Sequence, residues 1–165
     1  LISLGHRNIA IVYGCAYESH ALQKRHEGVR AAMRDHAIEF GDDYCVGTSF
    51  LPEEAYRATL QLLDLPRPPT AIFYFSDTMA FAGIRAAKDR GLCVPRDLSV
   101  IGYDDIHLCS YMVPRLTTVN QDKKLLGTQL ARTTLESIAL GQSAASPEPL
   151  PVVLVERESC AAPRL

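Results

Sequence analysis

Strong charge, long apolar runs and targeting signals are all missing from this sequence. Its net charge is only −2 over 165 residues, so it lacks the basic field that proteins use to hold DNA phosphates. We therefore expect no binding of nucleic acid by this chain alone. No stretch has the length and apolarity of a membrane span and no signal peptide is visible, so we predict no membrane contact.

Cysteine usage excludes two further classes of protein. The five cysteines are scattered through the chain, at Cys15, Cys45, Cys93, Cys109 and Cys160. Their odd number and the lack of a Cys-x-x-Cys spacing argue against a disulfide framework and against a structural zinc site. The same pattern favours a protein of the reducing cytoplasm.

Signatures of catalysis are missing as well. The five histidines show no His-x-x-x-His spacing, and the sequence has no G-x-S-x-G elbow, no phosphate loop and no G-x-G-x-x-G fingerprint. We therefore predict no metal site, no cofactor and no enzymatic activity.

What the sequence does contain is typical of one globular domain. Hydrophobic residues make up 47% of the chain and charged residues 22%, and a chain of this length can bury a full core. Apolar runs typical of buried strands alternate with amphipathic helix patterns. This alternation predicts βαβ crossovers and an α/β fold, with a parallel open sheet and helices on both faces.

Six strands and four helices are predicted from these patterns. The strands fall at residues 9–14, 43–49, 70–75, 98–101, 116–119 and 152–155, and the helices at 19–34, 52–65, 77–91 and 122–140. In the first helix we expect Leu22, Val29, Ala32 and Met33 to face the core.

The first residues have the pattern of a helix end. Leu1 to His6 read as a last helical turn, and Gly5 matches the glycine that commonly stops a helix. Because no helix precedes this turn and the first residue is not Met, we expect the chain to be a piece of a longer protein.

Two consecutive carboxylates follow the buried strand near residue 100. Asp104 and Asp105 come after Gly102 and Tyr103, at the end of a strand where open parallel sheets bind their ligands. A carboxylate accepts hydrogen bonds and donates none at neutral pH, which suits the hydroxyls of a sugar or polyol. A helix N-cap is the alternative role for such a pair.

Seven segments carry the motifs of a known family. They are LGHRNIA at 4–10, RHEGV at 25–29, PTAI at 69–72, SDTMAFA at 76–82, GLCVPRDLSVIGYDD at 91–105, PRLTTV at 114–119 and LPVVLVERES at 150–159. In this order they resemble the effector-binding core of the lactose/galactose (LacI/GalR) repressor family of bacterial transcription factors. The resemblance implies the type I periplasmic-binding-protein fold, mainly its C-terminal lobe.

The resemblance also implies a division of the chain. Residues 1–118 would form the first part of the C-terminal lobe, 119–148 a crossover segment and helix belonging to the N-terminal lobe, and 149–165 the return strand and tail. Family members begin with a helix-turn-helix and most of an N-terminal lobe. DNA would therefore be bound only through a region that this chain lacks.

Six positions match the family's effector site. They are Arg25, Phe50, Ser76, Asp77, Asp104 and Gln121. The forked guanidinium of Arg25 and the carboxylate of Asp104 would hold ligand hydroxyls or a carboxylate. Phe50 would stack on a sugar face, with a place in the core as its alternative.

Some residues in and near this set have other possible roles or weaker support. Ser76 stands where the family commonly has asparagine, so it lacks the longer arm and the extra donor. Asp77 or Ser76 is expected to cap the third helix, and Asp105 to cap a short helix after it. Tyr17 is a weaker candidate for an effector contact.

The resemblance further implies a homodimer. Phe81, Met112 and Val113 match positions that bury the subunit interface in family members. The helix at 122–140 has an apolar face containing Leu126 and Leu130 that would remain uncovered, so exchange of this helix between subunits is a second route to a dimer. A monomer with that helix folded back or disordered is the alternative.

Three functions remain open on the sequence alone. The first is the effector-sensing and dimerisation domain of a cytoplasmic LacI/GalR-type regulator that binds a sugar or a similar small polar ligand. The second is a periplasmic solute-binding protein for sugar transport, and the third, an α/β enzyme, is disfavoured by the missing motifs. The cysteine pattern and the GYDD and LTTV motifs favour the regulator. Because one wall of the cleft would be missing, we expect this chain to bind sugar weakly or undetectably, and the longer protein to bind it normally.

Overall fold

The computed structural model describes residues 1–14, 19–142 and 149–164, and it places six strands in one sheet. The strands are β1 (Ile9–Gly14), β2 (Cys45–Thr48), β3 (Ala71–Tyr74), β4 (Ser99–Asp104), β5 (Thr117–Gln121) and β6 (Val152–Val155). Their order across the sheet is β2-β1-β3-β4-β5-β6. The first five strands are parallel, which confirms the predicted open α/β sheet.

The last strand differs from the prediction of a parallel sheet. β6 runs antiparallel to β5, with Gln121 at the end of β5 opposite Val152 at the start of β6. The chain leaves β5 at its carboxyl end and re-enters the sheet at that same end, so the returning strand must point the other way. The sheet is therefore mixed.

Helices cover both faces of the sheet, as predicted. They are α1 (His20–Asp35), α2 (Pro52–Leu63), α3 (Asp77–Asp89) and α4 (Lys123–Leu140). Neighbouring residues of a strand point to opposite faces: Ala10 and Ile72 belong to a buried cluster with residues of α2 and α3, whereas Ile9 and Ala71 belong to a second cluster with Met33 of α1. The core is thus split into two layers by the sheet.

The face beside α1 is only partly covered. Of the four α1 residues expected to face inward, only Met33 is buried; Leu22 and Val29 are half-buried and Ala32 is exposed. An apolar groove of about 440 Å³ lies between this helix and the strands, lined by residues such as Ile11 and Phe73. Ala32 lines this groove together with Val29 and Met33, so it lies on the predicted inward face, but it stays exposed because the groove is open to solvent.

The last helix stands apart from the core. The predicted helix is confirmed at Lys123–Leu140, with the Asp122 side chain capping Leu125 N–H, but none of its residues is buried. Its apolar residues Leu130, Leu135 and Ile138 are exposed. Within the described residues, none of the helices combines the length and apolarity that a membrane crossing requires.

Candidate functional site

The predicted effector residues collect at one end of the sheet. Phe50 follows β2, Ser76 and Asp77 follow β3, and Asp104 and Gln121 end β4 and β5. Because neighbouring parallel strands point the same way, their carboxyl ends form a single edge, which is where open sheets of this type bind ligands.

Arg25 is held over this edge by an aromatic ring and a carbonyl. Its guanidinium carbon lies 3.5 Å from the centroid of the Tyr103 ring, and its Nη1 donates to the Phe75 carbonyl oxygen at 2.9 Å. The cation–π contact and the hydrogen bond fix the plane of the fork. Sequence reasoning missed Tyr103 as a site residue, although it stands between the glycine and the two aspartates of the motif.

Asp104 presents one carboxylate oxygen that is not used by the protein. Its Oδ1 accepts from Gln121 Nε2 at 2.9 Å, while Oδ2 has no partner among the described residues. Burial raises the pKa of the Asp104 carboxyl, and the charge of Arg25 only partly offsets this effect. The side chain of Lys123, which sequence reasoning also missed, reaches the Asp104 carbonyl oxygen. An acceptor oxygen without a protein partner therefore lies at the same edge of the sheet as Arg25, within reach of its charge.

Asp105 has a different role from its neighbour. Its Oδ1 pairs with Arg157 Nη2 at 2.7 Å and its Oδ2 accepts from Asn120 Nδ2 at 2.7 Å. Burial opposes ionisation, but these two hydrogen bonds hold the pKa of Asp105 below its usual range. The prediction that Asp105 caps the following short helix is wrong: the turn at His107–Ser110 begins at Ile106 without a side-chain cap, and the carboxylate anchors the segment after β6 instead.

Ser76 and Asp77 hold the frame of the site. The Ser76 hydroxyl accepts from Met79 N–H at 3.3 Å, so Ser76 is the cap of α3. Asp77 is buried, with Oδ1 accepting from the Thr118 hydroxyl and Oδ2 from Ile106 N–H at 2.8 Å. Both Asp77 oxygens are thus engaged within the protein. A direct effector contact by either residue stays a prediction.

Phe50 lies at the margin of the site and the core. Its ring is half-buried against the core cluster, and it fills the space beside Gly14 so closely that a Cβ on Gly14 would lie 1.8 Å from Phe50 Cε2. The contact requires glycine at the end of β1. The ring therefore packs on the core, and its stacking on a ligand stays a prediction.

Backbone strain is concentrated in the same region. Non-glycine residues with positive φ are uncommon; in the described part of the chain they are Ala37, Phe50, Asp104 and Asp105. Three of these four lie at the carboxyl ends of β2 and β4. Such strain persists where the surrounding structure enforces it, and it clusters at binding sites.

The residues predicted for a dimer interface lie beside this region. Phe81 and Met112 are half-buried, whereas Val113 is 92% exposed. Leu108 and Tyr111, which sequence reasoning missed, are exposed too. The bond from Ile106 N–H to Asp77 ties the start of the segment 106–113 to the first turn of α3, one turn before Phe81.

Two further sequence expectations concern Tyr17 and a metal site. Tyr17 lies outside the described residues. Among residues 1–14, 19–142 and 149–164, no group of three or more His, Cys, Asp or Glu side chains could hold a metal ion.

A family model and individual relatives both match this chain. The periplasmic binding protein-like domain family matches residues 1–160. The HTH-type transcriptional repressor PurR of Actinobacillus pleuropneumoniae is 38% identical over 149 residues, which is 90% of this chain and 44% of that repressor. The chain therefore spans less than half the length of this relative.

Solved structures agree with the sequence comparison. A LacI family transcriptional regulator from Enterococcus faecium with bound ribose superposes with a TM-score of 0.86 at 33% identity, covering 99% of this chain and 60% of that one. The lac repressor dimer bound to operator and the anti-inducer ONPF superposes with a TM-score of 0.86 at 33% identity. The match covers 98% of this chain and 55% of that one.

Proposed function

Because the chain belongs to the periplasmic binding protein-like domain family, we propose that it is the effector-sensing and dimerisation domain of a LacI-type transcriptional regulator. Its ligand is a sugar or a similar small polar molecule. The observation that carries the proposal is the presence, at one edge of the sheet, of a fixed guanidinium fork at Arg25 and of an Asp104 carboxylate oxygen that has no partner among the described residues.

The chemistry of this edge suits a polyhydroxy ligand. A sugar hydroxyl both donates and accepts, so it can give its hydrogen to Asp104 Oδ2 while a neighbouring oxygen accepts from the Arg25 fork. The Gln121 amide, already aligned with Asp104 at 2.9 Å, extends the row of polar groups. The ribose bound by the Enterococcus faecium regulator is a ligand of this class.

The domain division and the biological setting belong to the same proposal. Residues 1–118 and 149–165 would form one lobe, and 119–148 would cross to a second lobe. DNA would be bound through a helix-turn-helix outside this sequence, the regulator would act in the cytoplasm as a homodimer, and the domain would have no catalytic activity. The relatives are repressors, which favours this function over that of a periplasmic solute-binding protein.

A titration by NMR tests the ligand assignment. We expect ribose or another mono- or disaccharide to shift the amide signals around Arg25, Asp104 and Gln121, with weak affinity because these residues form only one wall of a cleft. Asp104→Asn should weaken the response about tenfold or more, since a charged acceptor is lost. Ligand-induced shifts confined to another region, or unchanged by Asp104→Asn, would contradict the proposal.

A further inference from the structure

A second cleft lies at the opposite end of the sheet from the candidate effector site. It has a volume of about 350 Å³ and is bordered by the start of β1, the segment after α1 and the loop before β3. The amino ends of the parallel strands meet here. This cleft is therefore separated from Arg25 and Asp104 by the length of the strands.

The pattern of arginine pairing singles out this cleft. Nine of the thirteen arginines form ion pairs with carboxylates. The four that pair with no carboxylate of the described residues are Arg7, Arg25, Arg57 and Arg67. Arg25 belongs to the candidate effector site, Arg57 lies on α2 within the electrostatic influence of Glu54, and Arg7 and Arg67 line the same cleft.

Both guanidinium groups in the cleft keep donors available. One nitrogen of Arg7 donates to the carbonyl oxygens of His6, at 3.1 Å, and Ile2, at 3.4 Å; its other nitrogens have no partner within the described residues. The Arg67 side chain makes no hydrogen bond to a described residue, although its carbonyl accepts from the Tyr44 hydroxyl at 2.5 Å, which ties its loop to the cleft. Glu39 also lines the cleft without pairing with either arginine, so the net charge there is positive.

The floor of the cleft is apolar. Ile9 and Ile38 are only 4% and 8% exposed, and the half-buried Tyr44 ring adjoins them. A planar guanidinium matches the geometry of a carboxylate or phosphate. We propose that this cleft binds a small organic anion, in which a carboxylate or phosphate held by Arg7 and Arg67 is joined to an apolar group that packs on this floor.

The size and chemistry of the cleft limit its occupant. A volume of about 350 Å³ lies near the lower end of the range for small-molecule pockets. An inorganic ion would leave the apolar floor uncovered, and a neutral ring would leave the guanidinium donors unpaired. This inference stands independently of the proposed effector site, because it uses none of that site's residues.

Phenyl phosphate and benzoate are suitable probes, with inorganic phosphate and benzyl alcohol as comparisons. In an NMR titration of the protein, both organic anions should give saturable shifts at Ile9, Ile38 and Tyr44 and none at Asp104 or Gln121. Inorganic phosphate and benzyl alcohol should bind several times more weakly. Equal binding of inorganic phosphate and phenyl phosphate would overturn the role of the floor, and the absence of saturation with either organic anion would overturn the site.

Substitutions identify the residues responsible. Arg67→Gln and Arg7→Gln should each weaken phenyl phosphate binding about tenfold, the effect of losing a charge-assisted hydrogen bond. Arg57→Gln, the matched control, should leave the affinity unchanged, and Glu39→Gln should increase it by removing a like charge. Because the Arg67 side chain is exposed and makes no bond to the described residues, its loss should not lower the melting temperature. Affinity that is unaltered in both the Arg7 and Arg67 variants would refute the proposal.

Discussion

Asp104 combines a strained backbone with a partly free side chain. Its φ is +111°, a region that side chains with a Cβ rarely adopt, and one of its carboxylate oxygens has no partner among the described residues. Strain of this kind costs about 1–3 kcal/mol. The simplest physical reason for this strain is the position that it gives the carboxylate at the ligand-binding edge of the sheet.

Two substitutions at Asp104 separate strain from side-chain chemistry. Asp104→Ala keeps the Cβ and so keeps the strain, whereas Asp104→Gly removes it. We expect the glycine variant to be more stable than the alanine variant by about 1 kcal/mol, after allowing for the greater chain entropy of glycine. Urea unfolding monitored by circular dichroism measures the difference. Equal stability would show that the backbone at this position is not strained in solution.

The roles of the three aspartates at this end could not all be assigned from the sequence. The end of a buried strand, followed by Asp104 and Asp105, was enough to locate the site. What distinguishes the residues is their partners: Asp77 binds Ile106 and Thr118, and Asp105 binds Arg157. These partners lie 29 to 52 positions away along the chain. Only the folded arrangement therefore reveals that both carboxylate oxygens of Asp77 and of Asp105 are engaged, whereas Asp104 keeps one oxygen without a partner among the described residues.

At the scale of elements, α3 packs on the sheet through a glycine. A Cβ on Gly83 would lie 2.0 Å from the Tyr74 hydroxyl oxygen and 2.3 Å from its Cζ. Tyr74 cannot easily move, because it is fully buried and its hydroxyl is bonded to Thr59 Oγ1 at 2.7 Å. The glycine therefore sets the distance between the helix and β3.

This contact reverses the usual effect of alanine in a helix. Gly83→Ala should lower the free energy of unfolding by about 1–3 kcal/mol, as expected for overpacking of a core. The matched control is Gly127→Ala in α4, where a Cβ would meet nothing within 4 Å; here alanine should stabilise by up to about 1 kcal/mol through helix propensity. Thermal unfolding of both variants tests the pair, and a stabilising Gly83→Ala would contradict the packing argument.

The elements themselves were largely predictable, and their arrangement less so. β1 and β6 have the predicted bounds, because each is an uninterrupted run of β-branched or apolar residues ended by a clear signal. The direction of β6 was not predictable, since it depends on where α4 returns the chain. The exposure of Ala32 in α1 was missed because helical periodicity identifies an apolar face and not how much of it the sheet covers.

Buried His6 joins the two chain ends to the amino end of the sheet. Its Nε2 donates to the Ala161 carbonyl oxygen at 2.8 Å, so in the neutral ring Nδ1 accepts from the Thr70 hydroxyl at 2.8 Å. The side chain is 1% exposed. Burial lowers the pKa of His6, and the hydrogen bond to Ala161 offsets this only in part.

The lowered pKa predicts a loss of stability in mild acid. Below the ordinary histidine pKa of about 6.5 and above the folded value, the unfolded chain binds a proton that the folded chain does not. The free energy of unfolding should therefore fall as the pH drops through this window. Unfolding in urea at pH 7.5 and pH 5.5 measures the effect.

Variants assign the acid effect to one histidine. His6→Gln should be less stable at pH 7.5 by about 1–3 kcal/mol, because buried partners lose their bonds, and should lose less stability on acidification. His26 also has a lowered pKa, from burial and the charge of Arg30. His26→Gln is therefore the comparison that measures how much of the acid effect comes from this second histidine. If His6→Gln kept the full acid dependence, the effect would originate elsewhere.

At the scale of the whole molecule, exposed apolar side chains of the described residues cluster in two regions besides the groove next to α1. One is formed by α4 and β6, where Leu135, Ile138 and Val153 are exposed by 67%, 72% and 62%. The other is formed by the segment 106–113 beside α3, with Val113 exposed by 92%. Apolar surfaces that cluster in this way usually mark contacts with another protein surface, and the two surfaces make different predictions about assembly.

We expect the second surface to form a twofold dimer. Phe81 lies one turn after Asp77 on α3, and Asp77 binds Ile106 at the start of the segment that contains Val113. We expect a symmetric pairing to bury both side chains. Sedimentation of the protein at tens of micromolar should then give twice the chain mass of 18.2 kDa. Phe81→Glu and Val113→Glu should each restore the monomer mass, because a charge would be buried without a partner.

The matched variant Leu135→Glu decides between the two surfaces. Leu135 is 67% exposed and lies on α4, outside the surface that contains Phe81 and Val113. Its substitution should therefore leave a dimer built on Phe81 and Val113 intact. If Leu135→Glu dissociates the dimer and the other two variants do not, the contact is made by the α4 face, as exchange of this helix between subunits requires. A monomer in all four samples would refute both arrangements and leave the exposed α4 face without a partner from a second copy of this chain.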